Sequence, residues 1–270
     1  MSMTDRNAVK LAMVGVASGC VALVGLWPDW GGALQAEGYY STEPPNGDFE
    51  SGDLPPWYGT GDVGVAGVNV LEGFWSAFIT TADWDYLSGS PAVGEVCSHL
   101  SSPPVYPPFG SGKTEVYFKV RYKTDEAVGA GAFYVDPFHA TLKTAQGSVD
   151  LLTIGTDGIY WSEDGAVETE VLDESTGEEL DAPPQLPAFD PTYDGLFAYE
   201  TATLDVFSEL PLEGCAPVQI RFQICDWWDS VVDSGAFIDE VLIDFKGRGR
   251  PRPCEPLTIR SVAQPPAPRQ

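Results

Sequence analysis

Apolar and polar residues alternate one by one along several stretches of the chain. Val116, Phe118 and Val120 alternate with Tyr117, Lys119 and Arg121; Val218, Ile220, Phe222 and Ile224 alternate with Gln219, Arg221 and Gln223. A period of two is that of a strand with one face buried and the other wet. Short runs rich in β-branched and aromatic residues recur at 63–70, 73–80, 114–122, 132–142, 148–154, 196–207, 218–225 and 236–245, separated by clusters of Gly, Pro, Asp and Ser. Beyond residue 36 no stretch keeps a helical apolar period over a dozen residues. The pattern predicts an all-β fold, an antiparallel, jelly-roll-like β-sandwich with little helix.

The segments between these runs have their own character. Residues 39–62 are turn-rich, with Pro44-Pro45, Asn46-Gly47, Ser51-Gly52 and Pro55-Pro56, and predict an entry segment rather than a helix. Residues 163–187 carry many acids and end in a Pro-rich stretch, which predicts an exposed, partly mobile acidic insertion. From Lys246 onward the Pro, Gly and Arg content is that of a disordered basic tail, so the sandwich is expected over 37–245 and the tail over 246–270.

The N-terminus stands apart. Arg6 and Lys10 precede an uncharged run over 11–27, followed by Ala33-Leu34-Gln35-Ala36, which has the shape of a signal peptide cleaved after Ala36. An uncleaved membrane anchor and a lipidated Cys20 in Ala17-Ser18-Gly19-Cys20 remain alternative readings of the same run. The expected location is secreted or cell-surface, with no membrane span once the signal is removed.

Charge narrows the partners. The formal net charge is -26, and six of the 14 basic residues follow Phe245, so residues 37–245 keep six basic residues against 37 acids. Such a surface repels nucleic acid and anionic lipid and attracts divalent cations. Once Cys20 is removed, Cys97, Cys215, Cys225 and Cys254 remain, an even number suited to two disulfides in an oxidising compartment, with three pairings open. If 218–225 and 236–245 form an antiparallel hairpin, Cys215 and Cys254 emerge at the same edge, which predicts a Cys215–Cys254 bridge and leaves Cys97 for Cys225. Without a CxxC pair, and with two histidines, His99 and His139, a zinc site is not expected.

The densest candidate chemistry lies in 226–244, where Asp226, Asp229, Asp233, Asp239 and Asp244 fall within nineteen residues. Crowded carboxylates repel unless a cation joins them or water screens them. Calcium, a hard ion satisfied by six to eight oxygens, is the expected ion, with Asn46, Asp48 and Glu50 of the opening segment as further oxygen donors. The spacing is not that of an EF-hand, and Asx-turns are the competing explanation.

Residues 46–57, NGDFESGDLPPW, resemble the opening of jelly-roll carbohydrate-binding modules. The later residues resemble the choice-of-anchor domains of bacterial surface and secreted proteins. Tyr122-Lys-Thr-Asp-Glu126 precedes Val135-Asp-Pro-Phe-His-Ala-Thr-Leu142, then come Tyr193-Asp194-Gly195 and Asp226-Trp-Trp-Asp-Ser-Val-Val-Asp-Ser-Gly-Ala-Phe-Ile-Asp239. Val135 stands where that family tends to have Asn, Gly235 is inserted, and no sorting helix follows. The resemblance implies an extracytoplasmic sandwich of adhesive or structural use.

Trp57, Trp227 and Trp228 are the candidate platform for a glycan, since exposed rings stack on sugar faces. A catalytic triad would have to use His99 or His139, and no GxSxG turn is present. Two carboxylates suffice for a glycoside hydrolase, which keeps that reading as an alternative. The first expectation is a non-catalytic binding or structural module stabilised by calcium; a carbohydrate-binding jelly roll using its exposed aromatics is the second.

Overall fold

The computed structural model describes residues 38–41, 44–81, 97–107, 111–126, 128, 136–162, 167–183, 185, 189–192, 197–213, 216–226 and 233–247. The proposed signal peptide, the tail beyond Gly247, Cys215, Cys254, Trp227, Trp228 and Asp229 lie outside them.

Every described element is a β-strand, and the strands form two antiparallel sheets packed face to face. The larger sheet runs β11 (Glu178–Glu179), β10 (Glu168–Asp173), β14 (Leu204–Glu213), β6 (Ser111–Thr124), β16 (Ser234–Gly247), β4 (Ser76–Thr80) and β3 (Asp62–Ala66). Beside these, β1 (Gly38–Ser41) pairs with the last residues of β16, and β13 (Tyr199–Glu200) pairs with β6 and with β12 (Asp190–Pro191). The smaller sheet runs β2 (Tyr58–Thr60), β5 (Cys97–Ser101), β15 (Gln219–Cys225), β7 (Phe138–Thr144), β8 (Gly147–Gly155) and β9 (Gly158–Trp161).

The alternation read from the sequence sorts residues between core and surface. Val116, Phe118, Val120 and Tyr122 of β6 face Ile220, Phe222 and Ile224 of β15, and all are buried. Phe222 sits at the centre, with ring centroids of Phe118, Phe138 and Trp57 at 5.2, 6.0 and 6.3 Å. In β16 the register shifts between Asp239 and Leu242, where Glu240 adopts a φ of 47°. This bulge turns Val241 inward and leaves Glu240 half-buried on the outer face. The opening segment docks onto it: Val241 N donates to Gly47 O at 2.9 Å, and a Cβ on Gly47 would run into the Val241 carbonyl.

Two sequence expectations are corrected. The region 163–187 is not simply an exposed insertion, because β10 pairs with β14 and buries Val171 in the core. The runs 218–225 and 236–245 do not form a hairpin: β15 lies between β5 and β7, and β16 lies in the opposite sheet between β6 and β4. The connection from Asp226 to Asp233 therefore crosses between sheets, which removes the reason for pairing Cys215 with Cys254.

Cys97 is bonded to Cys225. The two are directly opposed in the β5–β15 register, with Cα atoms 4.2 Å apart, so neighbouring strands in one sheet position them.

Candidate functional site

The oxygen donors expected to share one cation lie at two places. On the outer face of the larger sheet Asp239 is 1% exposed; its Oδ2 accepts from Ser76 Oγ at 2.7 Å and from Glu72 N at 3.2 Å, and its Oδ1 accepts from Glu240 N at 2.8 Å. Burial pushes its carboxyl up to about 6, and the charge of nearby Glu50 adds to the push against those hydrogen bonds. Glu50 Oε1 in turn accepts from Phe74 N at 2.8 Å and Trp75 N at 3.2 Å, over Gly73, where a side chain would collide with the carboxylate.

Asn46 and Asp48 make hydrogen bonds within the turn of the opening segment. Asn46 Nδ2 donates to Asp53 O at 2.6 Å, and Asp48 Oδ1 accepts from Glu50 N at 3.3 Å. Asp226 is placed elsewhere, at the end of β15, and Asp233 accepts through its backbone carbonyl from Asp125 N at 2.9 Å. Among the described residues no group of three or more His, Cys, Asp and Glu is disposed to hold a metal ion.

Asp226 belongs to a second acidic group that the sequence analysis did not assemble. Asp136, 2% exposed, accepts from Thr81 Oγ1 at 3.2 Å, and the buried Glu126 and Asp226 act on it by charge. Burial first, then those two like charges, push the Asp136 carboxyl up to about 7. Tyr122 donates its hydroxyl to the Asp136 carbonyl at 2.9 Å and ties the group to the core.

Trp57 is not a surface platform. It is 4% exposed, stacks on Phe222, touches Phe49 at 5.1 Å between ring centroids, and donates Nε1 to Pro45 O at 3.1 Å. A tryptophan in a turn-rich segment carries no sequence mark that separates a core plug from a binding ring.

The arrangement best suited to a ligand is the outer face of the smaller sheet. The strand register places Thr60, His99, Gln223, His139, Thr153 and Tyr160 in one row, one residue from each strand. Beside it runs Tyr58, Ser101, Arg221, Thr141 and Asp150. Tyr58 and Tyr160, 70% and 39% exposed, stand at opposite margins, with hydrogen-bonding groups between them. Arg221 Nη2 lies 2.6 Å from His99 Nδ1, which fixes the imidazole as an acceptor at Nδ1 with its proton on Nε2. Burial, then Arg221 and Lys143, hold His99 below its ordinary range. His139, 3.0 Å from Thr153 Oγ1, is likewise lowered, chiefly by burial. Both rings are therefore neutral at physiological pH and offer directional polar contacts without charge.

The outer face of the larger sheet differs. Its lysines are paired: Lys119 with Glu72, with Glu174 at 2.9 Å and with Glu240 at 3.4 Å, and Lys123 with Glu200 at 2.9 Å. Burial opposes the charge on Lys119, but its carboxylate partners hold the ammonium above its ordinary range.

No family model and no curated protein matches the chain. Among solved structures it is similar to the CBM22-1 xylan-binding domain from Paenibacillus barcinonensis, at 13% identity over 81% of this chain and 100% of that one, with a TM-score of 0.33. It is also similar to the K1 cleaved adhesin domain of Lys-gingipain from Porphyromonas gingivalis, at 16% identity over 78% and 99% of the two chains, with a TM-score of 0.38. Likeness at this level identifies neither a family nor a ligand. Among the described residues no helix is long and apolar enough to cross a membrane.

Proposed function

We propose that the chain is a non-catalytic binding module of an exported protein, and that it binds an extended glycan across the outer face of the smaller sheet. The observation that carries this reading is the double row on six adjacent strands, with a tyrosine at each margin. Strands stand roughly 4.8 Å apart, so the six span roughly 24 Å, enough for several sugar units. Exposed rings at the margins suit the apolar faces of pyranoses, and the neutral imidazoles, Gln223 and Arg221 suit their hydroxyls. The two rows contain one carboxylate, Asp150, whereas glycoside hydrolysis calls for two.

Affinity electrophoresis against a panel of soluble polysaccharides tests the reading. Gln223→Ala, in the middle of the row, is expected to weaken retention by about tenfold or more, as for a central contact of an interface, and Tyr160→Ala, at its margin, to weaken it by a smaller factor. Asp48→Ala, in an exposed turn, is expected to leave it unchanged. Retention of both face variants equal to that of the starting protein rejects this surface.

Calcium belongs to the same proposal, now centred on Glu50 and Asp239 alone. Its support is the closeness of two carboxylates, one buried, where the opening segment meets the β16 bulge. An ion held only by the folded state adds about 2.7 kcal/mol at a hundredfold excess over Kd. Calcium is therefore expected to raise the melting temperature of metal-free protein and Glu50→Gln to abolish the rise; a melting curve indifferent to calcium removes the ion from the proposal.

A further inference from the structure

Lys123 is the least exposed lysine of the chain's described residues, at 1%, yet it points to the outer side of the larger sheet. Its cross-strand neighbours are Glu200 on β13 and Gly235 on β16. Gly235 puts no side chain beside it, and the β3–β4 connection brings Asn69, at a φ of 57°, to the Lys123 ammonium. Nζ of Lys123 is 3.1 Å from Asn69 Oδ1 and 2.9 Å from Glu200 Oε2, and the Phe237 ring centroid lies 5.6 Å away. An amine, a carboxamide and a carboxylate thus meet in a site largely shielded from water. Lys119, the other buried lysine of the described residues, is paired with three carboxylates, none of which can acylate it with loss of ammonia.

We propose that Lys123 and Asn69 become joined by an intramolecular amide bond once the chain has folded, with Glu200 as the proton-transferring group. Glu200 accepts a proton from the Lys123 ammonium and exposes the Nζ lone pair. Nζ attacks Asn69 Cγ, which lies within about 4.3 Å, one C=O bond of ~1.23 Å beyond Oδ1. The attack forms a Cγ–Nζ bond and a tetrahedral centre that carries the charge on Oδ1. Glu200 returns its proton to Nδ2, the Cγ–Nδ2 bond breaks, and ammonia leaves with the second proton lost from Nζ. The balance is one ammonium and one carboxamide converted into one secondary amide and one ammonium ion, with no oxidant or reductant. The fold supplies what the reaction lacks in solution, since holding two groups in contact replaces a bimolecular encounter at effective molarities of about 10⁵ M or more, and the buried setting favours the neutral amide over a desolvated charge. The link would tie the β3–β4 connection to the central strand β6 and, unlike the Cys97–Cys225 bridge, would survive a reducing environment.

Protease mapping of the folded, purified chain under reducing conditions, together with intact mass, is the test. The expected result is a cross-linked peptide pair containing Asn69 and Lys123, and an intact mass about 17 Da below that of the chain, one ammonia lost. Glu200→Gln is expected to give the two peptides unlinked while circular dichroism and the Cys97–Cys225 bridge are retained, and Asn69→Ala is expected to give the full mass. Separate Asn69 and Lys123 peptides from the folded starting protein overturn the proposal. So does a 17 Da loss confined to the peptide containing Asn46-Gly47, which is the mark of a succinimide.

Discussion

At pH 8 the Asp136→Asn variant is expected to melt at a higher temperature than the starting protein, and the gap is expected to narrow steadily as pH falls and to close near pH 4. Asp136 is buried with Glu126 and Asp226, and its carboxyl is pushed up to about 7, against about 3.9 in an unfolded chain. The folded state therefore holds a proton that the unfolded state has released throughout the interval between those values. Stability from this group is fully present below pH 4 and is lost as pH rises through 7. Over that window the loss is on the order of 2 to 4 kcal/mol, the lower figure allowing for coupling among the three carboxyls. In a chain of this size that corresponds to roughly 5–10 °C. Asn has no charge to acquire, so the variant should lack the decline. The comparison with the variant is essential, because a protein of net charge -26 also loses stability with rising pH through general self-repulsion. Equal melting temperatures at pH 8 would show that Asp136 ionises at no cost to the fold. Asp239, raised to about 6, adds a loss of the same sign that is complete at a lower pH.

Replacing both Cys97 and Cys225 by Ser is expected to remove on the order of 4 kcal/mol of stability, or roughly 10 °C in melting temperature. The bond closes a sequence separation of 128 residues, and a cross-link of that length restricts the unfolded chain far more than a local one. Because the two residues already face each other across β5 and β15, the folded state has little to lose from the exchange except the bond. Thermal melts of the double variant and of the starting protein, both without reductant, decide it. A difference of a degree or two would mean that the unfolded chain is compact enough for the cross-link to restrict nothing.

How far the fold was legible follows from which interactions are local. The alternation in β6 and β15 and the β-branched and aromatic runs of β8 and β16 are properties of a few consecutive residues, and those strands appear where the pattern predicts them. The sheet to which a strand belongs is not local. Two strongly apolar strands joined by a short acidic connection read as a hairpin, but in a sandwich the same pattern serves a crossing between layers. The strand β10 was hidden for another reason: Glu168 and Glu170 alternate with the inward Thr169 and Val171, and the acids outweighed the alternation. Of the candidate site, Arg221 and Gln223 were legible as outward residues. That Gln223 stands between His99 and His139 depends on the register of strands separated by many tens of residues, and no local pattern reports it. The same holds for Asn69, Lys123 and Glu200.

The pairing of β1 with β16 has a mechanical consequence. Gly38 lies opposite Gly247, so the backbone enters and leaves the sandwich side by side, at the end of β16 remote from Ser234. A pull that separates these two points acts across the β1–β16 ladder and opens it one residue pair at a time, as a zip opens. Shear, which loads all the hydrogen bonds of a ladder together, is not engaged by such a pull. The first yielding step under tension is therefore the release of β1 from Asp244–Gly247, while the Cys97–Cys225 bridge and the β6–β16 pair stay unloaded until that short strand has peeled away.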